Sequence, residues 1–181
     1  MNGLVIYKGK YGATKQYAMW IGQELQIPVA SADRFPVDEL PKYDYFILGS
    51  SVYIGKLEIR NWLKKNFDTL QKKKIFFFQV AASPVEQIEK RESYNKTSLS
   101  ASILEKIRFY YLPGRMIMRN LSSWDRFKLT MGARLTKDPL EKKRMLTDFD
   151  HVKKENILPV IQSVRKFNKV PDKERELVQT V

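Results

Sequence analysis

The chain has 181 residues, 43% hydrophobic and 12% aromatic, enough to bury a core within one domain. It has no cysteine and a single histidine, His151, which excludes disulfides, thiolate catalysis, cysteine-held iron–sulfur clusters and a histidine-rich metal site. Lysine and arginine number 33 against 20 aspartates and glutamates, and the resulting +13 suits an anionic partner such as nucleic acid, an acidic membrane surface or an acidic protein.

Leu4, Val5, Ile6 and Tyr7 form an apolar run of strand length. The run is too short for the apolar region of a secretory signal. No segment approaches the roughly 18 apolar residues of a membrane span. With cysteine absent as well, the expected location is the cytoplasm. The strand breaks into Lys8, Gly9, Lys10, Tyr11, Gly12, Ala13 and Thr14, after which Tyr17, Ala18, Trp20, Ile21 and Leu25 share one helical face. Strand, glycine-containing turn and helix together set backbone N–H groups and a helix N-terminus against a phosphate. Lys8 and Lys10 add positive charge, Gly12 lets the backbone approach closely, and Thr14 supplies a hydroxyl at the helix start.

Ile27, Pro28, Val29 and Ala30 read as a short second strand, and Pro36, Asp38 and Pro41 as a loop. Tyr45, Phe46, Ile47, Leu48 and Gly49 form a continuous apolar run, as expected of a strand buried on both faces. Leu57, Ile59, Trp62, Leu63 and Phe67 follow helical spacing, and a second buried strand runs from Ile75 through Phe76, Phe77, Phe78 and Gln79 to Val80. A polar stretch over 83–98 leads to a predicted helix near 99–107. Phe109, Tyr110, Tyr111 and Leu112, then Met116, Ile117 and Met118, flank Pro113, Gly114 and Arg115. Strands alternating with helices imply right-handed βαβ units and a parallel sheet covered on both faces.

Residues 120–147 break this rhythm. Trp124, Phe127, Lys128, Leu129, Met131, Arg134 and Leu135 make a basic, aromatic helix that Asp138 and Pro139 close, with a charged segment after it. The last helix is expected to start near Asp148 or Asp150, with Val152, Ile157, Leu158, Ile161, Val164 and Phe167 on its apolar face. Pro159 kinks that helix or marks its real start. The expected organisation is one domain over 1–170, with an insertion over about 120–147 and a charged tail over 171–181.

Ligands of a doubly wound sheet sit outside the carboxyl ends of the strands, where the strand order reverses. Three loops here follow predicted strands: Lys8 to Thr14; Ser51, Val52, Tyr53, Ile54 and Gly55; and Ala81, Ala82 and Ser83. This pattern resembles the flavodoxin family. Pro113, Gly114, Arg115 and Met116, then Leu121, Ser122, Ser123, Trp124, Asp125, Arg126 and Phe127, then Thr147, Asp148 and Phe149 resemble the bacterial flavodoxin-like, menaquinone-dependent protoporphyrinogen oxidases. That resemblance spans roughly residues 3–168. It implies an α/β flavodoxin-like fold: a doubly wound, five-stranded parallel sheet with helices on both faces and a basic helical insertion before the last helix. It also implies non-covalent FMN, with the phosphate in the first loop and the ring between the other two.

The flavin would then carry the chemistry, with no catalytic side chain and no metal. Electrons would pass from a reduced organic substrate through FMN to a quinone or other acceptor. Tyr53 lies where an aromatic side chain stacks on the ring. Gly9 and Ala13 stand where the family often has Ser or Thr. Two alternatives follow: an electron-transfer flavodoxin serving a protein partner, against which +13 counts, and a flavodoxin-fold binding module that has lost FMN. The helix over 124–135 suits peripheral contact with an anionic membrane, with Trp124, Phe127, Leu129 and Met131 inward and Arg126, Lys128 and Arg134 at the headgroups. Docking of an electron partner, cover for a hydrophobic substrate and plain core packing are the other readings of that helix. Nucleic acid is not expected, because no recognition motif appears and the aromatics fall on apolar helix faces. Asp125 with Arg126 reads equally well as a surface ion pair, and His151 as a surface residue.

Overall fold

The computed structural model describes residues 1–169; the predicted tail over 171–181 lies outside them. The chain opens with strand β1 (Gly3–Lys8) and helix α1 (Ala13–Leu25), then strands β2 (Val29–Ser31), β3 (Tyr45–Tyr53) and β4 (Lys56–Leu57). Helix α2 (Arg60–Leu70) leads to β5 (Lys74–Ala81), helices α3 (Ile88–Ser98) and α4 (Ala101–Leu104), and strand β6 (Ile107–Pro113). Strand β7 (Arg115–Met116), helices α5 (Ser123–Leu135) and α6 (Pro139–Leu146), strand β8 (Phe149–Asp150) and helix α7 (Leu158–Lys169) complete it.

The main strands pair in the order β2-β1-β3-β5-β6, all parallel, and β4 folds back antiparallel on the end of β3. Successive strand residues point to opposite faces, so the continuous apolar runs fill two cores at once. Leu4, Ile6, Phe46, Leu48 and Phe77 face Leu63 and Phe67 of α2. Val5, Ile47, Phe76 and Phe78 face Tyr17 and Ile21 of α1 and Ile161, Val164 and Phe167 of α7. Tyr45, Phe76 and Phe167 meet edge-on with centroids 5.9 to 6.3 Å apart, the arrangement aromatic quadrupoles favour. The chain leaves β1 for β2 on one side and returns to β3 on the other. That reversal opens a crevice at the carboxyl ends of β1 and β3.

Several elements differ from their sequence reading. The second strand starts two residues later than Ile27, because Pro28 contributes only its carbonyl, to the amide of Val5 at 3.0 Å. The polar stretch over 83–98 contains α3, and the helix expected near 99–107 shrinks to the four residues of α4. The inward side of α3 is Arg91, Asn95 and Ser98, so it carries no apolar periodicity. Asp138 and Pro139 do not end α5, which stops at Leu135; they start α6, with the Asp138 carboxylate accepting from the Leu140 amide at 2.9 Å and Pro139 in the first turn. Neither Asp148 nor Asp150 caps the last helix. Asp148 accepts from the Met118 amide and Asp150 from that of Val152. A short 3-10 turn (Lys154–Ile157) precedes α7, and Pro159 marks its start rather than a kink.

The two cores carry the stability and the insertion lies outside them. Phe77→Ala is expected to cost about 3–5 kcal/mol, whereas Trp124→Ala on the exposed insertion should stay within about 0.5 kcal/mol. Equilibrium urea unfolding of both variants measures the contrast; equal losses would contradict it.

Candidate functional site

The turn after β1 forms the first wall of the crevice. Gly12 takes φ 83° at the cap of α1 and supplies no side-chain bond, so no side chain caps the first amides of the helix. Thr14 stands one residue inside the helix rather than at its cap. Its hydroxyl is buried and has no partner among the described residues, and the same holds for the Ser51 hydroxyl at the end of β3. Gly9 lies between them. A Cβ there would fall 2.6 Å from Thr14 Oγ1 and 3.4 Å from Ser51 Oγ, so a serine at position 9 would collide with the threonine. The missing hydroxyl at Gly9 therefore follows from the presence of Thr14. An unbonded buried hydroxyl costs on the order of 1–3 kcal/mol. Two of them beside an uncapped helix N-terminus suit an anion.

The second wall is the β3–β4 hairpin. Its two turn residues, Ile54 and Gly55, have φ 47° and 70°, the type I′ arrangement of a two-residue hairpin. A β-branched residue in the left-handed region is strained, by about 1–2 kcal/mol, and Ile54 is 66% exposed at the rim of the crevice. The third wall is the end of β5. Gly114 passes so close that a Cβ would lie 2.9 Å from the Ala81 carbonyl, which accepts from the Gly114 amide at 2.9 Å.

The insertion closes the fourth side. Asp125 is 7% exposed and therefore not the surface residue that the sequence suggests. Its carboxylate accepts from Lys10 Nζ at 2.5 Å, from the Tyr53 hydroxyl at 2.5 Å and from the Tyr11 hydroxyl. Lys128 Nζ lies 3.4 Å away and donates to the Tyr53 hydroxyl at 2.7 Å. Ser122 caps α5 by accepting from the Asp125 amide at 3.2 Å, which fixes where the carboxylate points. Lys10 Nζ also sits 4.2 Å from the centroid of the Tyr53 ring, a cation–π contact. Burial alone would push the Asp125 carboxyl up. The bonds from Lys10, Tyr11 and Tyr53 overturn this and hold it well below the usual carboxylate range, and the Asp125 bond in turn raises Lys10.

The crevice holds a half-open cavity of about 440 Å³, within the roughly 300–1,000 Å³ of small-molecule sites. Of the predicted site residues, Lys10, Tyr11, Ala13, Thr14, Ser51, Val52, Tyr53, Ile54, Ala81 and Ala82 line it. Gly55 and Ser83 line an adjoining groove with Arg144 and Phe149. Gly9 and Gly12 shape the turn without lining the cavity. Lys8 turns outward to Asp33 at 2.6 Å. Sequence reasoning missed Asp125, Lys128, Gly114, Arg115, Met116 and Met145 as wall residues. The serine three positions before Asp125 signals a helix start, but nothing local signals a contact with Lys10. Leu129 lines the cavity instead of facing outward, and Lys128 is engaged by Tyr53 and Asp125. The outer face of α5 is therefore Trp124, Phe127, Met131 and Leu135, with Arg126 and Arg134. Among the described residues no group of three or more His, Asp or Glu is placed to hold a metal ion. No helix among them is long and apolar enough to cross a membrane.

The flavodoxin domain profile matches residues 4–143. No curated protein matches the chain. Among solved structures, the chain is similar to a flavodoxin from the domain Archaea at 16% identity, covering 91% of this chain and 99% of that one with a TM-score of 0.45. It is similar to oxidised flavodoxin 1 from Bacillus cereus at 18% identity, 71% and 91% coverage and a TM-score of 0.40. A WrbA-like flavodoxin from Agrobacterium tumefaciens matches at 16% identity, 90% and 98% coverage and a TM-score of 0.41.

Asp125→Asn is expected to cost about 1.5–3 kcal/mol at pH 7, the range for hydrogen bonds to a charged group. Its folded pKa lies below the unfolded value of about 3.9. The stabilisation is therefore complete above that value and disappears as pH falls through the lower folded one. Urea unfolding at pH 7 and pH 3 should show the gap between wild type and variant narrowing in acid; a constant gap would contradict the assignment.

Proposed function

The chain belongs to the flavodoxin domain family, and we propose that it binds FMN non-covalently and works as an FMN-dependent oxidoreductase. The observation that carries this reading is the pair of buried, unbonded hydroxyls of Thr14 and Ser51 beside the uncapped start of α1, opening onto an apolar cavity. These residues fit the cofactor. The turn over 8–14 would hold the phosphate through backbone N–H groups, Thr14, Ser51 and the charge of Lys10. Residues 51–55 and 81–83 would flank the ring, with Tyr53 against its face. Bound FMN supplies the electron transfer. The protein's part is to bind, to orient and to exclude water, with Asp125 holding the insertion over the cavity. No side chain is assigned as acid or base, and the site residues belong to a single domain over 1–170.

The finer reading is an enzyme resembling protoporphyrinogen oxidase, passing electrons from a reduced organic substrate to a quinone or other acceptor. Its support is positional. Gly114, Arg115 and Met116, and Leu121 and Asp125, come from the segments that carry that resemblance, and all line the cavity. The adjoining groove of similar size leaves room for a small reactant beside the ring, which favours an enzyme over a shuttle for a protein partner. A module that has lost FMN is favoured by one observation: carboxylates engage both lysines of the phosphate turn, Asp33 on Lys8 and Asp125 on Lys10.

The outer face of α5 is the proposed membrane contact, at the cytoplasmic surface. Trp124 and Phe127 stack 5.5 Å apart at 64% and 55% exposure, with Arg126 and Arg134 beside them. Apolar rings flanked by cations suit an anionic bilayer interface.

Titration of the purified protein with FMN should give a 1:1 complex with flavin absorbance. Thr14→Ala should weaken it about fivefold to tenfold, the loss of one hydrogen bond near 1 kcal/mol. A protein that stays colourless at saturating FMN leaves the binding module. With FMN bound, oxidation of protoporphyrinogen by a quinone should proceed catalytically; no turnover would leave the shuttle or another substrate. Co-sedimentation with anionic vesicles should fall in Trp124→Ala/Phe127→Ala, and equal recovery with neutral and anionic vesicles would remove the charge argument for the membrane contact.

A further inference from the structure

One charged side chain is buried beside the third wall without a carboxylate bonded to it. Arg91, on α3, is 0% exposed. Its guanidinium donates only to backbone carbonyls: Nε to Pro84 at 3.1 Å, Nη1 to Leu112 at 3.0 Å, and Nη2 to Ser83 at 2.5 Å and Ala81 at 3.3 Å. Two of these acceptors, Ser83 and Pro84, belong to the loop that follows β5; Ala81 is the last residue of β5, and Leu112 lies on β6. Glu86 attracts the guanidinium at a distance but makes no bond to it. Burial lowers the Arg91 pKa to about 10, so the group remains a cation at neutral pH.

The backbone that carries the cation is anchored as well. Gln79, fully buried on β5, donates through Nε2 to the Arg91 carbonyl and to Asn95 Oδ1, both at 2.8 Å. Gln79 thus holds the α3 backbone at Arg91 against the sheet, while the guanidinium is held by its own four bonds to carbonyls. A buried charge lacking a counter-ion is costly, and the loop carbonyls alone need only neutral donors. What the charge adds is a field at the cavity wall, since Ala81 and Ala82 line the cavity and the Ala81 carbonyl touches the guanidinium. No hydrogen bond among the described residues engages the Ala82 or Ser83 amide. With the loop carbonyls turned to Arg91, these amides are left for a ligand.

We infer that Arg91 is a positioning residue of the cofactor site: it holds the loop over 81–84 against the flavin ring, and its charge favours reduced over oxidised flavin. This rests on the FMN reading above. Reduction adds two electrons, and the reduced ring becomes an anion when its proton count lags behind. A cation a few ångströms behind the wall stabilises that form more than the neutral oxidised one, and charge near the ring tunes a flavin in this way. Arg91 needs no contact with FMN for either effect.

The test measures the two-electron midpoint potential of bound FMN, with dithionite as reductant, alongside the Kd of oxidised FMN, in wild type, Arg91→Lys, Arg91→Met and Asn95→Asp. Arg91→Met should bind reduced FMN at least tenfold less favourably relative to oxidised FMN than wild type does, which is about 30 mV for two electrons. Arg91→Lys keeps the charge and loses the fork of bonds. It should hold the potential while oxidised FMN binds more weakly. Asn95→Asp keeps every Arg91 bond and sets a carboxylate one helical turn away, so it should lower the potential in the direction of Arg91→Met. A folded, FMN-bound Arg91→Met with the wild-type potential overturns the inference. If Arg91→Met fails to fold, an unchanged potential in Asn95→Asp overturns it, because charge at that place would not reach the ring. Failure of wild type to take up FMN is seen first and sinks the FMN reading itself.

Discussion

The carboxylate of Asp125 turns the open end of a sheet into a walled cavity. The two-helix insertion has almost no hydrophobic hold on the domain: the buried residues of α5 are Asp125 and Ala133, while Trp124, Phe127, Met131 and Leu135 face out. What fastens it is polar and converges on one side chain. Lys10 and Tyr11 come from the turn after β1, Tyr53 from the end of β3 and Lys128 from the next turn of α5. A single carboxylate thus joins both loops of the strand-order reversal to the insertion. The ionised form is required, since a neutral group would leave Lys10 and Lys128 facing each other across the tyrosine rings.

A carboxylate beside the turn after β1, the proposed anion site, looks contradictory until the charges are placed. Lys10 and Lys128 outnumber Asp125, so the cluster stays net positive, and the start of α1 adds the positive end of its dipole. The open hydroxyls of Thr14 and Ser51 mark a separate position, flanking Gly9, where Asp125 makes no bond. The excess of +13 is therefore not concentrated on that turn. Lys8 is taken by Asp33 and Lys10 by Asp125, whereas Arg126, Arg134, Lys142 and Lys143 stay exposed on the insertion.

The main sheet was legible because burial on both faces leaves continuous apolar runs, and Tyr45 to Leu48 and Ile75 to Phe78 are such runs. The three loops could be read for the same reason, since they follow those strands. Helix α3 was not legible, because Arg91, Asn95 and Ser98 are buried by hydrogen bonding to carbonyls and amides and leave no apolar stripe. Asp138 and Pro139 were ambiguous in principle. Helix α5 already ends at Leu135, and the dipeptide instead begins α6, through a carboxylate cap and a proline in the first turn. Asp125 was beyond reach, since Lys10 and Tyr11 lie more than a hundred positions upstream and Tyr53 lies 72, and local spacing holds no record of them.

Gly9, where the chain departs from the family pattern, has a steric setting that its place in the sequence does not show. In three dimensions the position is crowded by Thr14, whose Oγ1 lies 2.6 Å from any Cβ placed there. One hydroxyl occupies the space and a second comes from Ser51, on a strand 42 residues later in the numbering from Gly9 to Ser51. Thr14 and Ser51 thus bring two buried hydroxyls together on either side of Gly9, one from α1 and one from the neighbouring strand.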